Sequence, residues 1–477
     1  IKVISINTTG ILFVSNFSNF LNETEDKVAS YLPQNCKYKI LTYKVCEINN
    51  SFSYENFIEK NFASINKCDS NYFSNKFHGV NFNLPIVAER FLSDYYMLDG
   101  ALGHRQYCFE DVQFILKSWI LFLDHHVQSC EIVFSGYADN IVSHLTFLLS
   151  EYYGKQCISF GPKNVINHET CYLTSGLFAK PYHDLVNNKP KMDVSLLAKY
   201  IENYDMRHQI QRAYKDTKGL SKPILGMYSA NIISRNFWRY TLFGYKTKNK
   251  SLKIFLELDR VDLYSKVKSY VRRTYNALST KFFYKFVKDV IPLNTKIVYL
   301  PLQVQPEAST SVTSPYFMNL QSTVEYVSKS LPLGFILVVK DHPAVKGMRS
   351  ISFLKKIRSL PNVYLVNPKK SAKNLMTLST LIIGFGGTTL LEAISLGKKI
   401  LIFEDSFYSK GKLVHRLKEY RNLHDEILDF SNLEISDDRK KKELEDMLNY
   451  FHQRGFPRYT NFEKNMAVNL MKIYNDR

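Results

Sequence analysis

The segment 296–403 alternates short apolar runs with turns and helical stretches, and this alternation constrains the fold more than any other feature of the chain. It predicts a parallel sheet whose strands are joined by crossover helices. Residues 297–302, 335–339 and 381–383 read as strands buried on both faces, because their apolar residues run on without polar alternation. Each run ends in a polar turn. In an open α/β sheet ligands bind outside the carboxyl ends of the strands, so the three turns form the candidate site.

The third turn is Gly384-Phe385-Gly386-Gly387-Thr388-Thr389. Its glycines let the backbone approach a ligand closely, and Thr388 or Thr389 opens a helix. A helix start leaves N–H groups unpaired and partly positive, which stabilises a phosphate without a cationic side chain. Glu392 follows about one turn later, where a carboxylate can accept hydrogen bonds from ribose hydroxyls. The second turn is Lys340-Asp341-His342-Pro343. Lys340 offers a point charge to phosphate oxygens, and His342 can donate to them or protonate a leaving group near neutral pH. The first turn, 303–310, carries Glu307 near the mouth of the same sheet. Each feature also has a structural reading: a tight connection at the glycines, a solvated Lys340, a loop-capping His342, and a Glu307 that complements a helix dipole.

Residues 131–135 form a second buried-looking strand, 136–140 a turn, 141–153 a helix ending at Gly154, and 157–160 another strand. This second βαβ unit implies a second Rossmann-like domain. Asp139 is either a polar group at that strand end or the N-cap of the helix, a position that Asp favours. His144 lies near the first turn and can point inward. A helical pattern covers 85–123, and 189–288 reads as mostly helical, basic and aromatic. Within it Tyr264, Val267, Tyr270, Val271 and Thr274 fall near helical spacing among Lys266, Lys268, Arg272 and Arg273. Such a stripe either packs on a core with its charges in water or lies on an anionic membrane. The run 437–442 reads as a charged turn, and helices are expected at 440–454 and 461–474.

The formal charge of +19 favours an anionic partner: an acidic lipid surface, a charged polysaccharide or a phosphorylated donor. Nucleic acid is not expected, since no nucleic-acid module with its spacing occurs. All seven cysteines lie between Cys36 and Cys171 with no Cys-x-x-Cys pair, which suits reduced thiols of a cytosolic protein and no zinc site. Residues 1–20 lack the basic and apolar regions of a signal peptide, and no stretch suits a bilayer span of about 20 apolar residues. The expected location is the cytoplasm, including the inner face of its membrane. No Asp-x-Asp motif stands in a metal-binding context, so no metal is expected.

The segments Gln305-Pro306-Glu307-Ala308-Ser309-Thr310, Lys340-Asp341-His342-Pro343 and Gly386-Gly387-Thr388-Thr389-Leu390-Leu391-Glu392-Ala393, in this order and spacing, resemble bacterial capsule and surface polysaccharide biosynthesis proteins, a group that includes Kdo transferases of the GT-B fold. The Lys-x-His-Pro element also resembles that of bacterial sialyltransferases and CDP-glycerol glycerophosphotransferases, and the Gly-Gly turn resembles that of UDP-GlcNAc 2-epimerases. The match covers about a quarter of the chain well.

The resemblance implies an α/β, GT-B-like fold with two facing Rossmann-like domains and C-terminal helices crossing back. The expected parts are an acceptor-side domain at 1–288 with a helical basic insert at about 189–288, a nucleotide-sugar domain at 289–440, and crossover helices at 441–477. It implies a glycosyltransferase that takes a nucleotide-activated, Kdo-like or other sugar and passes it to a glycan or lipid-linked acceptor. No cofactor beyond the donor substrate is expected. Lys340, Gly386, Gly387, Thr388, Thr389 and Glu392 would hold the nucleotide and phosphate, His342 would assist the leaving group, and Glu307 or Asp139 would receive the acceptor proton. The alternatives are a polyol phosphotransferase with a CDP-activated donor, and a non-enzymatic basic scaffold for anionic glycan or lipid.

Overall fold

The structure, a computed structural model, describes residues 9–14, 19–43, 48–89, 109–138, 140–161, 170–178, 180–182, 185, 189, 263–287, 291–292, 294–305, 308–343, 345, 347–409, 411–457 and 460–475. The expected helices between 189 and 262, together with Glu307 and Asp139, lie outside these residues.

The constraining segment folds as expected. Strands β8 (Lys296–Pro301), β9 (Phe335–Lys340), β10 (Val363–Val366), β11 (Leu381–Gly384), β12 (Ile400–Ile402) and β13 (Val414–Arg416) form one sheet in the order β10-β9-β8-β11-β12-β13. Every neighbouring pair is parallel. All of β9 is buried, which explains its unbroken apolar sequence. One face packs Tyr299, Val338 and Ile382 against Leu391, Ile394 and Leu448. The other packs Leu300, Val339 and Ile383 against Val324, Ile357 and Ile427. Three of the crossover helices start where a short polar side chain accepts a first-turn N–H: Asn319 from Ser322, Ser350 from Phe353, Ser371 from Asn374.

A second sheet comprises β1 (Thr9–Val14), β2 (Tyr38–Thr42), β3 (Ser51–Ser53), β4 (Cys130–Ser135), β5 (Gln156–Gly161), β6 (Thr170–Ser175) and β7 (Lys180–Pro181), in the order β6-β5-β4-β1-β2-β3 with β7 on β6. Pairing is parallel from β5 to β3 and antiparallel at β5-β6 and β6-β7. Its helices include Tyr54–Lys67, Phe109–Val127 and Ile141–Tyr152. Of the helical pattern expected over 85–123, the described residues hold the helix Asn83–Ala88, which ends before Glu89, and the first part of Phe109–Val127, while 90–108 lie outside the described residues. Cys36, Cys130, Cys157 and Cys171 are buried.

The chain ends by returning to this sheet. The helix Asp437–Arg454 buries Leu444, Leu448 and Phe451 beside Ile400 and Tyr408, with Tyr172 of β6 in the same cluster. Strand β14 (Phe456–Pro457) then pairs antiparallel with β6, and the helix Phe462–Asn475 packs Met466, Leu470 and Ile473 against Ile11 and Ile132. Gly455 sits at the crossing because a Cβ there would lie 2.3 Å from Thr170 Cγ2. The charged run 437–442 is the start of a helix and not a turn: Ser436 caps it by accepting from Arg439 N, and Asp437 and Asp438 suit the positive end of the helix.

Candidate active site

Both sheets place a crossover reversal between two central strands, β8 and β11 in one and β1 and β4 in the other. Ligands in doubly wound sheets bind outside the carboxyl ends of the strands at such a reversal. Beyond β8 stand Gln303 and Gln305, each 8% exposed, and beyond β11 the turn Phe385-Gly386-Gly387. Gln305 donates from its amide to the Met318 carbonyl. Arg349 joins the first two turns: it donates to the Gln303 carbonyl at 2.7 Å and to Gln305 Oε1 at 3.2 Å, and its Nε stands 3.7 Å from Asp341 Oδ1. The first and third turns meet at Gly387, where a Cβ would lie 2.8 Å from Gln303 Nε2. Tyr408 donates to the Gly387 carbonyl at 2.8 Å, fixing that turn from the β12 side. The three turns therefore converge on one place.

Charge at this place is predominantly positive and partly desolvated. Lys340 is buried, and burial holds it below the usual lysine range against the opposing fields of Asp341 and Glu392. Burial pushes the Asp341 carboxyl up, countered first by the Arg349 guanidinium and by the hydrogen bond from His342 N at 2.9 Å. Glu392 also acts on buried Tyr299, whose phenol is raised chiefly by burial, so Lys340, Glu392 and Tyr299 share one side of the sheet. His342 is half-buried on the wall of a cavity of about 740 Å³, with Arg273, Lys281, Arg349 and Lys369 on the same wall. The helix Thr388–Ser395 begins at Gly387, which as a glycine supplies no side-chain cap, and Leu390 N donates to the Gly387 carbonyl at 3.3 Å; the helix start is the partly positive end that suits an anion.

The other reversal is built differently. Past β4 come Tyr137 and Asn140, and the helix there is capped by Asn140 Oδ1, which accepts from Val142 N at 3.0 Å and Ser143 N at 3.1 Å. Asn140 thus holds the N-cap that the sequence left open for Asp139. Glu89, 2% exposed, accepts from Ile141 N at 2.7 Å. His144 is buried with its Nδ1 unpaired, and burial lowers its pKa to about 4, so it is neutral at physiological pH.

The two reversals approach one another. Burial raises the Tyr408 phenol, and Tyr137 lies near enough to add to that shift. Lys180 of β7 pairs with Asp405 at 2.5 Å, and Val312, on the segment after β8, is buried in the cluster that holds Ala88, Ile141 and Val142.

Of the residues singled out in the sequence, Lys340, His342, Gly386, Gly387, Thr389 and Glu392 all stand at these turns or on the helix they open. Thr388 opens the helix, though its side chain is not among the described ones. Sequence reasoning missed Gln303, Gln305 and Arg349 as the residues that lock the turns together. Both glutamines lie in the first turn, 303–310, whereas Arg349 lies in a loop without any distinguishing pattern. Among the described residues no group of three or more His, Cys, Asp and Glu side chains is arranged to hold a metal ion.

The strand orders and the returning helices define the class: a two-domain α/β protein of GT-B-like architecture. No family model and no curated protein matches the sequence. Among solved structures the chain is similar to KpsC of Thermosulfurimonas dismutans, a beta Kdo 2,7 transferase, at 15% identity and a TM-score of 0.26, over 43% of this chain and 62% of that one. It is also similar to the UDP-GlcNAc 2-epimerase of Neisseria meningitidis, at 13% identity and a TM-score of 0.24, over 97% and 99% of the two chains. A third similar structure is MnaA of S. aureus with UDP, at 10% identity and a TM-score of 0.26, over 98% and 97%. At such TM-scores the architecture rests on the strand order alone.

Proposed function

We propose that this chain is a glycosyltransferase of GT-B type that takes its sugar from a nucleotide-activated donor in the making of a bacterial capsule or surface polysaccharide. The observation that carries the reading is the convergence of the three turns at the crossover reversal: Arg349 joins the turn after β8 to Asp341, Gln303 packs against Gly387 where the helix Thr388–Ser395 starts, and Lys340 lies in the field of Glu392 on that helix. A nucleotide diphosphate or monophosphate is the kind of ligand such a place stabilises: the helix dipole and fixed cations meet the charge that develops on a departing phosphate. In this reading Lys340, Gly386, Gly387, Thr388 and Thr389 surround the phosphate, Glu392 holds the ribose, and His342 donates to the leaving group. Glu307 or Asp139 takes the acceptor proton. The acceptor, a glycan or a lipid-linked sugar, enters from the side of the β1–β4 reversal. Cations and a helix start do the work that a divalent ion does elsewhere, and the reaction needs no metal or other cofactor.

The test is thermal stabilisation of the purified chain by CMP, CDP, UDP and GDP in the presence of chelator, repeated on His342→Ala and Glu392→Ala. A selective shift that survives chelation and is lost in both variants supports the reading, and CMP alone directs it to Kdo-like donors. A shift by CDP with release of CMP into a phosphate-containing product identifies polyol phosphate transfer instead. No shift with any nucleotide sinks the donor site.

A further inference from the structure

In the helix Leu263–Lys285 the described side chains, from Val271 onward, place polar residues on the buried face and a row of apolar ones outside. The face it turns to the β8–β13 domain buries Arg273 and Asn276 together with Phe283, and Asn276 Nδ2 donates to the Gly347 carbonyl at 3.3 Å. Gly347 takes a positive φ of 75°, and a Cβ there would lie 2.4 Å from the Arg273 carbonyl, so loop and helix are in direct backbone contact. The face turned outward carries Val271, Tyr275, Leu278 and Phe282, exposed by 60%, 64%, 65% and 61%, and Phe286, just past the helix end, continues it at 63%. At 3.6 residues per turn the four helical ones fall within about 60° of arc. Phe282 and Phe286 hold each other edge to face at 4.9 Å. Exposed apolar residues elsewhere, such as Leu333 and Phe109, are spread over other elements, whereas these five form one ridge.

The charge on the same helix says what the ridge meets. Its sequence holds Lys266, Lys268, Arg272, Arg273, Lys281 and Lys285 and no Asp or Glu. Arg272 lies to one side of the ridge and Lys281 and Lys285 to the other. Two copies packed ridge to ridge would bring like charges together, whereas an anionic bilayer offers both an apolar layer and countercharge. No helix among the described residues is long and apolar enough to cross a membrane, so the fitting geometry is a helix lying in the interface plane.

We propose that the Val271–Phe286 ridge docks this protein on an anionic membrane surface, aromatic residues among the acyl chains and lysines at the headgroups. Leu278, Lys281 and Lys285 also line the cavity that bears His342, so docking opens that cavity at the bilayer surface. The surface stands on its own geometry and does not require the donor-site reading.

The experiment is cosedimentation of the full chain with vesicles of equal phosphatidylglycerol and phosphatidylcholine, and with phosphatidylcholine alone, at low and high salt. The comparison variants are Tyr275→Ser/Phe282→Ser and Lys281→Gln/Lys285→Gln. The wild type is expected on the anionic vesicles only, less so at high salt. Removing the two lysines should weaken partition about 30-fold, and removing the two rings at least about tenfold, with unfolding temperatures unchanged. Absence of wild-type binding, or equal binding by the variants, overturns the proposal. So does a lowered unfolding temperature or an altered oligomeric state in the ring variant, because the ridge would then be covered by the chain itself or by a second copy.

Discussion

Substituting Ala at Gly387 isolates one contact of the candidate site. The backbone there has φ −85° and ψ 171°, open to any L residue, so the change carries no backbone strain. By itself it should stabilise by about 0.4–1 kcal/mol, because the unfolded chain loses freedom. Opposing this, the new Cβ lies 2.8 Å from Gln303 Nε2, 3.1 Å from Oε1 and 3.2 Å from Cδ, while Gln303 is only 8% exposed and its carbonyl is held by Arg349. Overpacking of a buried site costs about 1–3 kcal/mol. The clash wins, and Gly387→Ala should destabilise by about 1 kcal/mol net. In a Gln303→Ala background the obstacle is gone, and the same substitution should be neutral or stabilising. The sign reversal is the test, read by urea unfolding of all four members of the double-mutant cycle. If Gly387→Ala has the same sign in both backgrounds, Gln303 does not set the shape of this turn. Nucleotide stabilisation should fall in the single variant and stay low in the double, since the Cβ occupies the approach to the helix start in both.

Arg349→Lys keeps a charge beside Asp341 but cannot reach Gln303, Gln305 and Asp341 together, and we expect a loss of about 2 kcal/mol; equal denaturation midpoints would show the bridge to be dispensable. His144 adds a pH dependence. Its folded pKa of about 4 lies below the unfolded value near 6.5, so the unfolded state binds the proton more readily, and stability present above pH 6.5 is lost as pH falls toward 4. The loss is on the order of 3 kcal/mol, and His144→Gln should flatten this limb of the stability curve; parallel curves for the two proteins would contradict it.

Strands buried on both faces write themselves into the sequence, which is why 297–302, 335–339 and 381–383 and the turns after them were readable. Their order was not, because the pairing of β11 with β8 joins residues far apart in the chain, and no local pattern encodes it. The helix over 263–285 was visible from its periodicity, but which face it turns inward was left open. Apolar spacing alone does not say which way a short stripe faces; here Arg273, Asn276 and Phe283 are buried and Val271 is outside. The helix start at Asp437 was obscured by reading charge as a turn, although Ser436 followed by two acids is a capping pattern. Arg349 could not have been singled out, since its importance comes from three partners supplied by two separate turns.

Two crossover reversals with helix starts raise the question of which one takes an anion. At Ile141 the positive end of the helix is already occupied: Asn140 accepts two N–H bonds and the buried Glu89 carboxylate a third. A phosphate brought to about 5 Å from that carboxylate would meet roughly 3 kcal/mol of repulsion at an effective dielectric near 20. The helix dipole returns about 0.3–2 kcal/mol, so the balance is unfavourable before desolvation is counted. At Gly387 the signs are reversed. The start has no side-chain cap, Lys340 and Arg349 are close, and of the nearby acids Asp341 is engaged by Arg349 while Glu392 lies within the field of Lys340. The same topology therefore yields one reversal closed by its own carboxylate and one that favours a phosphate, which is the physical basis for the proposal that a nucleotide donor binds on the β8–β11 side.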